Sequence, residues 1–234
     1  MNCTKLKEIR LPDNLKTIGE GWFAGCISLE AINIPGLVTV VGKRSFSGCK
    51  KLKKITFPKE LRVIEENAFS DCEELESVAF PETFRIIEPY AFQRCKKLLS
   101  VEFPMNMLEI GWGCFSECIS LKNLKLPIGL KSISSRCFYN CSHLQEVIIP
   151  EGVEVIYSQA FMKCHLLKKV HVSSTVTEIC DGAFQYCKNL NIFEVPKSLH
   201  IYPESEVFVE RVRNGAGVRR NAPGQTGRPV IRNY

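Results

Sequence analysis

Between Leu52 and Cys72 the chain reads LKKITFPKELRVIEENAFSDC, and this stretch contains the apolar spacings that define the fold. Ile55 and Phe57 lie two residues apart, the period at which side chains of a β-strand point to one side. Pro58 follows and cannot continue the hydrogen-bond ladder of a sheet. The first half of the stretch therefore predicts a short parallel strand that ends at the proline.

The second half of the same stretch predicts two more short elements. Leu61 and Ile64 are apolar positions three residues apart, and they indicate a second, shorter extended segment. Ala68, Phe69 and Cys72 have the spacing of a single turn of 3₁₀- or α-helix that points Phe69 and Cys72 inward. One unit is therefore predicted to contain a strand, a bend, a short strand and a helical turn.

This stretch is one unit of a repeat of 23 residues. Nine of the 12 cysteines follow this step without an insertion, namely Cys3, Cys26, Cys49, Cys72, Cys95, Cys118, Cys141, Cys164 and Cys187. The same step carries Phe23, Phe46, Phe69, Phe92, Phe115, Phe138, Phe161 and Phe184. Repetition at a fixed period of about 20 to 50 residues is typical of a solenoid, in which each coil contacts its neighbours.

The repeated motif resembles the BspA-type leucine-rich repeat, a family known from bacterial and protozoan surface proteins. The resemblance lies in Leu-x-x-Ile-x-Phe-Pro-x-x-Leu-x-x-Ile-x-x-x-Ala-Phe-x-x-Cys and covers about residues 3–209. It implies an α/β repeat solenoid over residues 1–209, a right-handed leucine-rich-repeat superhelix of about nine coils. In the last coil Tyr202, and Val207 or Phe208, replace the usual Ile and Phe, so we expect that coil to act as a cap.

Positive charge is concentrated at the end of the chain. Of the formal net charge of +6, most comes from residues 210–234, which hold six arginines and one acid among many Gly, Pro and Asn residues. This composition predicts a disordered basic tail over residues 210–234. We expect no specific nucleic-acid partner, although a nonspecific contact with a polyanion is the alternative for this tail.

Neither a membrane span nor a secretory signal is predicted. The longest weakly polar stretch, Ala31–Val41, is interrupted by Pro35 and is far shorter than the roughly 20 apolar residues that a membrane helix needs. Met1–Leu6 lacks an apolar segment of signal-peptide length. We therefore expect a cytoplasmic protein, or a cell-surface or secreted one if a signal sequence lies upstream.

The cysteines allow two interpretations. Neighbouring coils would place equivalent cysteines about 5 Å apart, a distance that a disulfide tolerates. However, the period puts all nine on one buried line, where a free thiol behaves as a small hydrophobe, and nine cannot pair completely. We favour a ladder of buried free thiols, which is best tolerated in a reducing compartment.

The remaining cysteines raise two further questions. Cys114 and Cys137 form Cys-x-x-x-Cys pairs with Cys118 and Cys141 in adjacent coils, a set that could supply four thiolates to zinc. We instead interpret Cys114 and Cys137 as substitutes for the small alanine of the repeat, and we expect no metal. Cys180, in a bend position, is the thiol expected to react if it is exposed.

Catalytic constellations are weak in this sequence. His143 and His165 would be brought close by neighbouring coils, but no acid or nucleophile recurs beside them in a triad pattern. Gly19-Glu20-Gly21 and Gly111-Trp112-Gly113 lack the residues that follow a phosphate loop. We predict no enzyme activity, no catalytic residue and no cofactor.

A binding role is predicted from the positions that the repeat leaves variable. The outward position of the predicted strand recurs from Arg10 to Glu194. Within it, what we call the outer stripe consists of Asn33, Thr56, Ala79, Glu102, Lys125, Ile148 and His171. Varied side chains on a rigid face offer a preorganised docking surface for a protein ligand. Apolar residues outside the core positions of the repeat either form a contact patch or are ordinary scattered side chains, and they include Leu99, Leu108, Trp112, Ile128 and Ile148.

The sequence therefore predicts a non-catalytic protein-binding scaffold. The family resemblance gives the alternative, a cell-surface adhesin or host-contact antigen. Leu6, Ile9 and Leu11 would lie on the open edge of the first coil, which predicts either edge-mediated self-association or a fragment of a longer protein.

Overall fold

The computed structural model describes residues 3–197, residue 199 and the backbone of residues 230–233. Over these residues the chain forms a solenoid of about eight turns that is built from parallel strands. The strands, in chain order, are β1 (Thr17–Ile18), β2 (Ala31–Asn33), β3 (Val40–Val41), β4 (Lys54–Thr56), β5 (Val63–Ile64), β6 (Ser77–Ala79), β7 (Ile86–Ile87), β8 (Ser100–Glu102), β9 (Glu109–Ile110), β10 (Asn123–Leu124), β11 (Ser132–Ile133), β12 (Glu146–Ile148), β13 (Val155–Ile156), β14 (Lys169–His171), β15 (Glu178–Ile179), β16 (Ile192–Val195) and β17 (Val230–Asn233).

Strands pair between equivalent positions of successive coils. Ile32 lies opposite Ile55, and Val170 lies opposite Phe193, in each case 23 residues later. The short strands form the sheets β1-β3-β5-β7-β9 and β11-β13-β15. The longer strands form β2-β4, β6-β8-β10 and β12-β14-β16-β17. The parallel strand and the second, shorter extended segment of the repeat are confirmed in the coils between Ala31 and Ile179.

A stack of phenylalanine rings fills the centre of the solenoid. Successive rings are nearly parallel, with centroids 5.1–5.7 Å apart and interplanar angles of 2–17°, along Phe23, Phe46, Phe69, Phe92, Phe115, Phe138, Phe161 and Phe184. Phe57, Phe80 and Phe103 form a shorter second row whose rings meet this stack edge to face. Burial of one ring per coil stabilises every coil through its two neighbours.

The segment predicted as a helical turn is instead a pair of β-turns, so that prediction is wrong. In the second coil the Cys49 N–H donates to the Phe46 carbonyl at 3.1 Å. The third residue of this turn, Gly48, has a φ of 73°, as in a type II turn. Arg44 holds the same place in the preceding turn, with a φ of 52°.

Hydrogen bonding between coils explains why turns replace a helix. Alternate amides of this segment point along the solenoid axis, so that Arg44, Phe46 and Gly48 donate to the carbonyls of Glu66, Ala68 and Ser70 at 3.0, 2.8 and 2.8 Å. An α-helix would use these amides within its own turns. The turn geometry therefore joins each coil to the next along this side as well.

Two positions in every complete coil adopt left-handed backbone geometry. The first set is Gly21, Arg44, Asn67, Tyr90, Gly113, Arg136, Gln159 and Gly182, and the second is Gly25, Gly48, Asp71, Arg94, Glu117, Asn140, Lys163 and Tyr186. Gly, Asn and Asp suit this region because they have no Cβ or a short polar side chain. The other residues are held there at a cost of roughly 1–2 kcal/mol each.

The two ends differ from the predicted pattern. Leu6 and Ile9 are half-buried at the edge of the first coil, whereas Leu11 is buried. The predicted ninth coil, with Tyr202, Val207 and Phe208, lies outside the described residues. Within the predicted basic tail, residues 230–233 form β17, and the rest of 210–234 lies outside the described residues.

Within the described ranges no helix is long and apolar enough to cross a bilayer.

The left-handed positions predict a contrast between two glycines. Gly48→Ala adds a Cβ at a φ of 73° and should lower the free energy of unfolding by about 1–2 kcal/mol. Gly36→Ala is the matched control, since nothing lies within 4 Å of its added Cβ. That variant should leave stability unchanged or raise it by up to about 1 kcal/mol. Equal effects in urea denaturation would contradict the turn geometry.

Candidate binding surface

The outer stripe lies on the face formed by the longer strands. The middle residue of each strand points into the core, as Ile32 and Val147 do, so its two neighbours point outward. Strand register places Asn33 beside Thr56, and Ile148 beside His171. Six of the seven outer-stripe residues are exposed, and the seventh, His171, is half-buried. The structure thus brings the predicted residues into one row.

A second row runs parallel to the outer stripe and widens it. It consists of the residues that begin the longer strands, Ala31, Lys54, Ser77, Ser100, Asn123, Glu146 and Lys169. Five of these are exposed, while Ser100 and Lys169 are half-buried. Together the two rows form a face whose side chains take no part in the core.

A charged cluster lies at the β16 end of this face. The Lys169 Nζ lies 3.7 Å from a Glu146 carboxylate oxygen and 3.6 Å from one of Glu194. The His171 Nδ1 lies 3.1 Å from Glu194 Oε2, and this hydrogen bond is the main reason why the pKa of Glu194 is lowered. Exposed Ile148 lies beside this cluster, so the face combines an apolar side chain with both signs of charge.

The other predicted apolar residues do not form a row. Leu99, Leu108, Trp112 and Ile128 are all exposed, but they occupy four different positions of the repeat. Trp112 packs against Tyr90, with centroids 4.7 Å apart, and the Arg136 guanidinium lies 5.9 Å from its ring centroid. The repeat therefore aligns the outer stripe but not these side chains.

The buried cysteines form a regular ladder of hydrogen-bonded thiols. Each Sγ donates to the carbonyl of a phenylalanine in the preceding coil at 3.1–3.3 Å, in the pairs Cys49–Phe23, Cys72–Phe46, Cys95–Phe69, Cys118–Phe92, Cys141–Phe115, Cys164–Phe138 and Cys187–Phe161. All 12 cysteines of the chain are free. The thiols therefore satisfy backbone acceptors rather than each other.

Burial favours the protonated form of a thiol. It raises the pKa of Cys49 to about 12 and raises the pKa values of Cys72, Cys114 and Cys137 well above the usual range. Cys114 and Cys137 are fully buried, as expected for substitutes of the repeat alanine. Among the described residues no group of three or more His, Cys, Asp and Glu side chains is placed to hold a metal ion.

Two cysteines depart from the ladder. Cys3 is exposed, so the prediction that all nine periodic cysteines are buried is wrong for the first coil, whose outer side no described coil covers. Cys180 is half-buried and its Sγ lies 3.5 Å from Glu178 Oε1. Burial also raises the pKa of Cys180, which disfavours its reactive thiolate.

Ion pairs also join neighbouring coils in the turn segments that precede the longer strands. Glu73 lies between Lys50 and Lys96, at 3.3 and 3.0 Å. Asp71 accepts two hydrogen bonds from Arg94, at 2.6 and 2.7 Å, and these bonds lower the pKa of Asp71. Such partly exposed pairs contribute up to about 1 kcal/mol each. Lys50 therefore pairs with an acidic residue of the next coil.

The two histidines of the predicted pair bond to carbonyls of other coils. His143 Nδ1 lies 2.6 Å from the Ile119 carbonyl, and His165 Nδ1 lies 3.1 Å from the Tyr186 carbonyl. Each ring thus bonds to a backbone carbonyl, and His143 Nδ1 also lies 3.5 Å from the neighbouring Ser142 hydroxyl.

Sequence reasoning missed the thiol–carbonyl bonds and the two left-handed positions. The sequence does contain a signal for the left-handed geometry, because one position of the repeat holds Gly25, Gly48, Asp71 and Asn140. Residues of this kind favour positive φ. The thiol bonds had no such signal, because hydrophobic burial alone accounts for a periodic cysteine.

Parallel strands stacked at 23-residue intervals, with leucine and phenylalanine inward, define a solenoid of the leucine-rich-repeat class. The BspA type leucine rich repeat region matches residues 1–99 and 85–210, in 6 copies. The chain therefore belongs to the BspA-type leucine-rich repeat family, as its motif predicts. No curated protein matches the chain.

Solved leucine-rich repeat structures resemble the chain in fold. A leucine-rich repeat protein of T. pallidum is 28% identical, with a TM-score of 0.55 over 77% of this chain and 76% of that one. A leucine-rich repeat protein from Eubacterium ventriosum is 18% identical, with a TM-score of 0.48 over 83% of this chain and 80% of that one. A leucine rich cell surface protein from Faecalibacterium prausnitzii is 22% identical, with a TM-score of 0.42 over 93% and 78%.

The thiol ladder predicts how the native protein reacts with a thiol reagent. Cys3 should react first, because it is exposed, and Cys180 more slowly, because it is half-buried. The ten buried cysteines should react only after denaturation, when all 12 become accessible. Mass spectrometry of the labelled peptides identifies each site.

The variants Cys3→Ser and Cys180→Ser are the controls, since each should remove one labelling phase and leave the other. Rapid native labelling of several ladder cysteines would contradict the buried arrangement. So would recovery of fewer than 12 thiols from protein denatured without reductant.

Proposed function

We propose that the protein is a non-catalytic scaffold that binds a protein ligand on the outer stripe. The observation that carries this proposal is the strand register, which makes equivalent core residues coincide and collects the variable residues on one face. A repeat whose interior is fixed can vary this face without altering the fold.

The rigidity of the face favours binding over catalysis. Six of the seven stripe residues lie on strands that pair with an adjacent coil, and Lys125 directly follows β10, so little conformational entropy is lost when a ligand docks. With strands about 4.8 Å apart, seven coils extend over roughly 30 Å, which suits a protein surface better than a small molecule.

Ile148 is the proposed apolar anchor of the face. It is 56% exposed, and the repeat places it between Lys125 and His171 in the stripe. Binding energy in protein interfaces is concentrated in a few desolvated side chains that are surrounded by polar ones. The off-stripe residues Leu99, Leu108 and Trp112 are the second candidate for such a contact.

The matched pair Ile148 and Ile128 tests the outer stripe. Both side chains are 56% exposed, but only Ile148 lies on the stripe. Ile148→Lys should reduce the amount of protein ligand captured from the native source about tenfold, since it buries an unpaired charge at the contact. Ile128→Lys should capture as much ligand as the original protein.

The opposite pattern, with capture lost in Ile128→Lys and kept in Ile148→Lys, would assign binding to the off-stripe residues and contradict the proposal. Ligand capture by the Trp112→Ala variant is a further test of the off-stripe residues. Circular dichroism of each variant shows that the solenoid is intact.

We further propose a cytoplasmic location, which is supported by the 12 free thiols, because a reducing compartment preserves them. The alternative is a cell-surface adhesin or host-contact antigen, which the family resemblance suggests. Digestion of intact cells with an added protease separates the two, since only a surface protein is cleaved.

Edge-mediated self-association is a separate proposal. It is supported by Leu6 and Ile9, which are only half-buried at the edge of the first coil. Sedimentation of the purified protein over a concentration series measures it.

A further inference from the structure

The sheet of longer strands ends on a strand that breaks the repeat. β17 pairs in parallel with β16 over four residues, and it lies at the end of the order β12-β14-β16-β17. In the regular repeat, Val170 of β14 lies opposite Phe193 of β16, which is 23 residues later in the sequence. On the other side of β16, Phe193 lies opposite Ile231, which is 38 residues later. A segment from outside the regular repeat therefore occupies the edge of β16.

The β16 edge has an alternating chemistry. Phe193 and Val195 are buried, at 2% and 0% exposure, and Glu194 between them lies on the outer face. The Glu194 side chain is 19% exposed, and its carboxylate lies 3.6 Å from Lys169 and 3.1 Å from His171 on the preceding strand. A carboxylate at the edge favours a basic residue in the next strand.

The sequence of β17 complements this edge. Register places an apolar residue, Ile231, opposite Phe193 and a basic residue, Arg232, opposite Glu194. Main-chain pairing gives a strand its affinity for an edge, and alternate side chains give it specificity. The apolar-then-basic order of β17 is thus the pattern that the β16 edge selects.

We propose that the edge of β16 is an acceptor site for an extended peptide segment of another protein, in which an apolar residue is followed by a basic one. β17 is the resident occupant of this site and competes with the incoming segment. The site adjoins the end of the outer stripe, where Glu194 contacts His171, but its existence does not depend on the function proposed for that face.

Covalent linkage favours the resident strand. A tethered segment meets the edge at an effective concentration that reaches the millimolar range for flexible linkers. If β17 occupies nine-tenths of the molecules, a foreign segment binds with an apparent Kd about tenfold above its intrinsic value. Weakening β17 should therefore reveal the site.

The test uses the full chain with Ile231→Asp, which places a charge opposite buried Phe193. Tyr234→Asp, one residue beyond β17, is the matched control. The Ile192 amide donates to Lys168 in the preceding coil, so the alternate amides, those of Phe193 and Val195, face β17. Hydrogen exchange of the Phe193 and Val195 amides should become at least tenfold faster in Ile231→Asp and stay unchanged in Tyr234→Asp. The probe is a labelled peptide with the sequence of residues 228–234.

This peptide should bind the Ile231→Asp chain about tenfold more tightly than the original chain, and it should restore slow exchange in β16. The same peptide carrying Arg232→Glu should bind several-fold more weakly, because it places two acids opposite each other.

Three results would overturn the proposal. Unchanged exchange in Ile231→Asp would show that β17 does not protect the edge. Faster exchange without binding of the peptide would show that the edge accepts no separate segment. A dimer of the original chain, with β16 protection lost on dilution, would assign the edge to a second copy of this chain.

Discussion

Superposition of successive coils is the constraint on which the rest of the structure depends. Neighbouring strands of a sheet lie about 4.7–4.9 Å apart, and the stacked phenylalanine rings are only slightly farther apart, at 5.1–5.7 Å. Because the two spacings nearly agree, one 23-residue step satisfies backbone pairing and ring packing together. An inserted residue would break both, and between Cys3 and Cys187 the repeat contains none.

The cysteine ladder follows from the same superposition. The Phe23 carbonyl accepts the amide of Cys26 within its own coil and the thiol of Cys49 from the next. Cysteine fits this position because it is small, apolar and still a weak donor. Serine would bring a more strongly hydrated hydroxyl into the core, and alanine would leave space beside the rings. The outer face has no comparable constraint, so its residues are free to serve recognition.

Sequence periodicity correctly predicted the strands and the core residues that repeat in each coil. It gave a wrong prediction where the same residue spacing is compatible with two backbone geometries. The Ile55 and Phe57 alternation and the phenylalanine positions correctly gave the strands and the core. A helical turn and a pair of β-turns both fit the spacing of Ala68, Phe69 and Cys72. The β-turns form because they leave backbone amides free to donate hydrogen bonds to the next coil. Cys3 is exposed because burial depends on a covering coil rather than on repeat position. β17 escaped notice because its 38-residue step carries no repeat signal.

The free energy of unfolding of Phe115→Ala tests the central claim most directly, with Phe57→Ala for comparison. Phe115 is fully buried and stacks on both Phe92 and Phe138, whereas Phe57 is half-buried in the shorter row. Superposed coils predict a loss of about 3–5 kcal/mol for Phe115→Ala and a clearly smaller loss for Phe57→Ala. A loss below about 1 kcal/mol for Phe115→Ala, the range of ordinary surface substitutions, would contradict the stacked core.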